Sequence, residues 1–302
     1  MLTPLHARFS GSRNGVWLAA LWALAMLSAA FGQSTSADAW KPIEQAMGRA
    51  GTVQADGVLK FGLPRSDLRV SVGALEVKPA LALGAWVAFM KSGEQALVMG
   101  DLVLTEEEVE RVADQLQQGG VEIAALHNHL LSESPRVMYM HIHGHGDALK
   151  LAQAVRAALA ETKTPAPAAA PAMAKIEMDT AAMEQILGRP GRVNGGVFQV
   201  AVPRKETIAE MGVAIPSSMG LATAINLQPL AGGRAAATGD FVLLGAEVNP
   251  VIRALRANGI AITALHSHLL EEQPRLFFLH FWAVDDARKL ARGLRTALDL
   301  TR

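Results

Sequence analysis

Leu126-His127-Asn128-His129-Leu130-Leu131-Ser132-Glu133-Ser134-Pro135-Arg136, followed by His141, returns 139 residues later. There it reads Leu265-His266-Ser267-His268-Leu269-Leu270-Glu271-Glu272-Gln273-Pro274-Arg275, followed by His280. Nine of the sixteen aligned positions are identical, so chance is a poor explanation. Working outward, Gly100-Asp101-Leu102-Val103-Leu104 matches Gly239-Asp240-Phe241-Val242-Leu243, and Pro64-Arg65 matches Pro203-Arg204. Gly48-Arg49-Ala50-Gly51 likewise matches Gly188-Arg189-Pro190-Gly191. The chain is one unit written twice, with a period too long for a solenoid.

Each copy reads as mixed α and β. In the first, residues 58–63, 68–72, 86–90 and 95–103 have the composition of strands, with a hairpin turn at Lys91-Ser92-Gly93-Glu94. Thr105 lies three residues before Glu108, a capping-box spacing, and Val109, Val112 and Leu116 form the apolar face of the helix that follows. The second copy is expected to start this helix with Asn249 as cap and Pro250 at its first position. Each copy closes with a helix, at 147–160 and 286–298. The expected fold is α+β, with two tandem copies of an antiparallel sheet covered by helices and related by a pseudo-two-fold.

The histidine segment reads as a strand, a turn and a second strand. Residues two apart in a strand share a face, roughly 6.5 Å apart along the chain. His127 and His129 therefore share a face, as do His266 and His268. A turn centred on Ser134 sets His127 opposite His141, and one centred on Gln273 sets His266 opposite His280. Each hairpin then gathers three imidazoles on one face, and the two hairpins are expected to meet across the pseudo-two-fold in one composite cleft.

Three neutral imidazoles suit zinc or another divalent metal. Glu133 and Glu272, on the turns, are candidate fourth ligands or the general base of a metal-assisted hydrolysis. Arg136 and Arg275 are candidates for gripping an anionic group bidentately. His143 and His145 extend the first cluster alone, because the second copy has Trp282 and Val284 there. The same residues also read structurally, as histidines sharing hydrogen bonds and as an Arg–Glu clasp around a proline bend. Asp101 and Asp240, each preceded by glycine, read as turn residues. Gly-rich phosphate loops and a nucleophile elbow are absent.

Composition narrows the function. The 302 residues carry 28 basic and 28 acidic side chains and no cysteine. A balanced charge gives no reason to expect nucleic acid as a partner. Without cysteine there is no disulfide, thiolate metal site, thiol nucleophile or lipid-bearing cysteine. Arg8 and Arg13 precede an apolar run over residues 16–30, with cleavage signals at Ala30-Phe31-Gly32 and Ala37-Asp38-Ala39. This reads as a signal peptide over 1–39, since the run is shorter than the roughly 20 residues of a membrane span. The first copy then occupies 40–161, an Ala/Pro-rich linker 162–175, and the second copy 176–302. Alternating Ala and Pro over the linker cannot hold a helix.

With Gly-Asp-x-Val-Leu before it, the duplicated His-x-His-Leu-Leu, Glu-x-Pro-Arg and His pattern resembles the LppY/LpqO-like family over residues 45–302. The resemblance implies a bacterial, often exported protein, frequently with two copies, and carries no known chemistry. Its namesakes look like lipoproteins, whereas this chain has no acylatable cysteine. The expectation is a periplasmic or secreted protein with no stable membrane anchor after signal cleavage. Its histidines bind a divalent metal or a small polar ligand, the partner being a small-molecule or envelope ligand. The alternative is a non-enzymatic envelope structural or interaction protein.

Overall fold

In the computed structural model the described residues are 38–166 and 176–301. The signal segment therefore lies outside them except for its last two residues, as does the linker over 167–175. The first copy runs α1 (Lys41–Met47), β1 (Thr52–Val53), β2 (Leu59–Pro64), β3 (Ser71–Val72), β4 (Leu75–Glu76) and α2 (Pro79–Ala82). It continues through β5 (Gly84–Ser92), β6 (Gln95–Thr105), α3 (Glu106–Gln118), β7 (Glu122–His127), β8 (Glu133–Ser134), β9 (Val137–Gly146) and α4 (Ala148–Ala160). The second copy runs α5 (Thr180–Leu187), β10 (Gly191–Asn194), β11 (Val197–Pro203), β12 (Ile208–Glu210), β13 (Val213–Ile215) and β14 (Ala222–Pro229). It ends with β15 (Arg234–Leu244), α6 (Gly245–Ala257), β16 (Ala261–His266), β17 (Leu276–Asp286) and α7 (Ala287–Leu298).

The fold is α+β, with two tandem six-stranded antiparallel sheets ordered β1-β2-β5-β6-β9-β7 and β10-β11-β14-β15-β17-β16. Strand alternation decides what each face meets. Met140 and Ile142 of β9 join Val112 and Leu116 of α3 and Leu151 and Val155 of α4 in one core. Leu279 and Phe281 of β17 do the same with Val251 and Leu255 of α6 and Leu290 and Leu294 of α7. The opposite sheet faces pack on each other: Ala88, Leu97 and Met99 share a core with Val242 and Phe278. The layers are thus helix, sheet, sheet, helix. His141 and His280, on the strand faces turned away from the helices, are buried in the middle.

The duplicated Pro-Arg pairs form a clasp in each copy. Arg65 is fully buried and donates to Glu108 at 2.7 and 3.1 Å, to Asp67 and to the Val103 carbonyl. Arg204 repeats this with Glu247, Glu206 and the Val242 carbonyl. Glu108 and Glu247 also accept the backbone N–H of Thr105 and Leu244, satisfying a free donor at each helix start.

Three local expectations are corrected. The helix expected to start at Pro250 begins at Gly245, because Glu247 supplies the capping carboxylate, and Pro250 lies inside it. The strand read at 68–72 shortens to Ser71–Val72. The histidine hairpin is shifted by two residues: His127 pairs with Tyr139 and Ala125 with His141, just as His266 pairs with Phe278 and Ala264 with His280. In the first copy Glu133 and Ser134 pair with Val72 and Ser71, and in the second Gln273 bridges Ala209, so each connection is held by a distant strand rather than closing as a symmetric turn. A shift of two leaves every side chain on its expected face.

Candidate functional site

Six histidines converge between the two sheets: His127, His129 and His141 from the first copy, and His266, His268 and His280 from the second. Their rings face each other across the copies, stacked with centroids 3.6 Å apart for His127–His266 and 3.7 Å for His141–His268, and tilted at 3.8 Å for His129–His280. The offset of 139 exchanges the last two pairs and maps the first onto itself, as a two-fold requires. Outer rings follow the same rule: His129 stacks on Tyr139 and His268 on Phe278, each at 3.4 Å. Tyr139 is held by its hydroxyl, which donates to the Ala82 carbonyl at 2.9 Å.

Asp101 and Asp240 complete the layer. They were expected in turns, but they lie in the middle of β6 and β15, opposite His141 and His280. Asp101 Oδ2 lies 3.7 Å from His129 Nε2, and Asp240 Oδ2 lies 3.2 Å from His268 Nε2. The glycine before each allows close strand approach: a Cβ on Gly239 would sit 1.9 Å from the Ala224 carbonyl oxygen, and one on Gly100 2.8 Å from that of Trp86. The signal available in the sequence was the same Gly-Asp pair interrupting an apolar strand in both copies.

The electrostatics fit a site that favours neutral imidazoles. Burial, reinforced for most rings by neighbouring imidazoles, depresses all six histidines below the ordinary value. Burial pushes Asp101 well up, with the Asp240 charge adding to it, and raises Asp240 as well. His280 Nδ1 donates to the Gly239 carbonyl at 2.8 Å, which leaves its Nε2 lone pair facing His127 Nε2 at 3.3 Å. Among the described residues of this layer, several buried polar atoms make no hydrogen bond of good geometry: His127 Nδ1, His129 Nε2, His141 Nε2, His266 Nε2, both ring nitrogens of His268, and one oxygen each of Asp101 and Asp240, His268 Nε2 having only the ion-pair contact with Asp240. Among the described residues, four overlapping triads drawn from these eight side chains have their ligand atoms within 4.8 Å of one another.

The other candidates lie outside the layer's triads. Glu133 accepts from Asn128 at 3.1 Å, and buried Glu272 accepts the Leu276 N–H at 2.9 Å and pairs with Arg275 at 3.2 Å. Arg275 also donates to the Leu270 carbonyl at 2.9 Å, so the Glu-x-Pro-Arg turn of the second copy is a clasp. Arg136 is exposed, and so is His145. His143 is buried, with Nε2 3.2 Å from Glu210 Oε2 of the second copy.

No curated protein matches this chain. Among solved structures, it is similar to the double-ringed trimeric shell protein MSM0271 from the RMM microcompartment. Identity there is 11%, coverage 69% of this chain and 84% of that one, and the TM-score 0.19. It is also similar to the trimeric bacterial microcompartment shell protein PduB, at 11% identity, 83% and 90% coverage, and a TM-score of 0.22. For EtuB from Clostridium kluyveri the values are 10%, 72%, 86% and 0.19. Residues 41–161 and 181–300 each match the family described as Domain of Unknown Function (DUF1259), and the chain belongs to that family as a tandem pair.

Proposed function

We propose that this is an exported protein of the LppY/LpqO-like kind, periplasmic or secreted, which binds a divalent metal through the inter-sheet layer of histidines and aspartates. The observation that carries the reading is the His127–His280 pair, whose Nε2 atoms are 3.3 Å apart. Two nitrogens bound to one tetrahedral zinc at about 2.0–2.1 Å are separated by about 3.3–3.4 Å. The partnerless buried nitrogens support the same reading, because a purely structural hydrogen-bond network would satisfy them. Zinc is the natural occupant for imidazole with carboxylate, and a small polar or envelope ligand would reach the ion past the half-buried rings of His127 and His266.

Metal-assisted hydrolysis would draw its base from Glu133 or Glu272, because Asp101 and Asp240 belong to the ligand layer; Glu133 accepts from Asn128 through one oxygen, and Glu272 accepts from Leu276 and Arg275. The test is a thermal-shift titration of untagged, chelator-treated protein with zinc, alongside His127→Ala and His129→Ala. A zinc-dependent rise in the melting midpoint that both variants lose, with the fold retained, supports the reading. An unchanged midpoint in the unsubstituted protein contradicts it.

A further inference from the structure

Resting on the metal-binding reading, we infer that the layer holds two divalent ions at once, each bound by ligands from both copies of the repeat. Of the triads within ligand reach, His127, His129 and His280 share no member with Asp240, His266 and His268. The two-fold that exchanges the ring stacks supplies the fourth member of each set. Asp101 joins the first, with Oδ2 3.7 Å from His129 Nε2. His141 joins the second, its ring stacked on His268 at 3.7 Å. All eight side chains are then used once, as two sets of three histidines and one aspartate.

Buried atoms without a well-formed hydrogen bond fall in both sets: His127 Nδ1, His129 Nε2 and an Asp101 oxygen in one, and His141 Nε2, His266 Nε2, both His268 nitrogens and an Asp240 oxygen in the other. One ion would leave the atoms of the other set buried without a ligand, which is costly. Charge agrees with this count, since each divalent ion receives one buried carboxylate. The arrangement also explains why the second copy retains the full pattern. Each ion takes His-x-His and an aspartate from one copy and the strand histidine from the other, so neither copy alone completes a set.

The experiment is a Co2+ titration of the untagged, metal-free protein, followed by the visible absorption of the bound ion and confirmed by elemental analysis. Uptake that breaks at two equivalents is expected. His129→Gln and His268→Gln should each keep one equivalent, and the double variant none, with circular dichroism confirming the fold. A break at one equivalent in the unsubstituted protein overturns the two-ion inference and leaves the metal-binding reading standing. Two equivalents that survive the double substitution also overturn it, and no uptake at all overturns both. The unsubstituted titration decides the stoichiometry even where a variant fails to fold.

Discussion

His280 and His127 face each other across the two copies with their Nε2 atoms 3.3 Å apart, while His280 gives its Nδ1 proton to the Gly239 carbonyl at 2.8 Å. That second bond fixes the tautomer and aims the ring, as an outer partner does for a metal-bound histidine. His280→Ala should therefore weaken zinc binding by more than the roughly 10–100-fold that follows loss of an outer partner alone. Competition against a chelator of known affinity measures it, and an unchanged affinity would contradict the role given to His280.

Gly239 has a steric duty as well. A Cβ there would meet the Ala224 carbonyl oxygen at 1.9 Å, against 2.8 Å between a Cβ on Gly100 and the Trp86 oxygen. Gly239→Ala is expected to destabilise by at least the ~1–3 kcal/mol typical of overpacking, and Gly100→Ala by less. Urea denaturation of the two variants gives the order, and the reverse order would count against the close approach of β14 and β15.

The Arg65–Glu108 clasp is wholly buried on the arginine side. Arg65→Met strands a carboxylate beside Asp67 and should cost about 3–5 kcal/mol, whereas Arg65→Met combined with Glu108→Leu should recover only part of that loss, since Glu108 also accepts the Thr105 N–H at the helix start. Metal content should not change in either variant, since the clasp lies outside the histidine layer. A single-variant loss below 1 kcal/mol in urea denaturation would show that the clasp contributes little.

Stability of the metal-free protein should fall on acidification. The six histidines are depressed in the folded state, while in the unfolded chain they titrate near 6.5. Below about pH 6.5 the unfolded chain binds protons that the folded chain refuses. The stabilisation is thus fully present above that value and lost as the pH falls. Asp101 and Asp240 work oppositely: their raised values favour folding at low pH, and that contribution is lost as the pH rises through them. Six groups against two give a net loss between pH 7 and 5, read as a falling urea midpoint. A flat profile would mean that the rings are not held neutral.

Much of this was legible in the sequence because duplication and strand period are both local in origin. The repeat placed the hairpins, and the two-residue period put His127, His129 and His141 on one face even though the pairing was shifted by two. The shift itself was not legible, because it depends on β3 capturing Glu133 and Ser134 from a distant part of the chain. The place of Asp101 and Asp240 is hidden in the sequence for a related reason. Glycine followed by aspartate is a common turn signal, and only the tight strand packing around Gly100 and Gly239 shows the other use. Glu133 and Glu272 lie on the loops between the histidine strands, where each accepts a local hydrogen bond, from Asn128 and from Leu276.

The most direct measurement is an anomalous-difference map from crystals of the untagged protein grown with zinc, recorded at the zinc edge. The account predicts a peak between the Nε2 atoms of His127 and His280, about 2.0–2.1 Å from each. A map with no peak in this layer, and with the two rings hydrogen-bonded directly to each other, would contradict it.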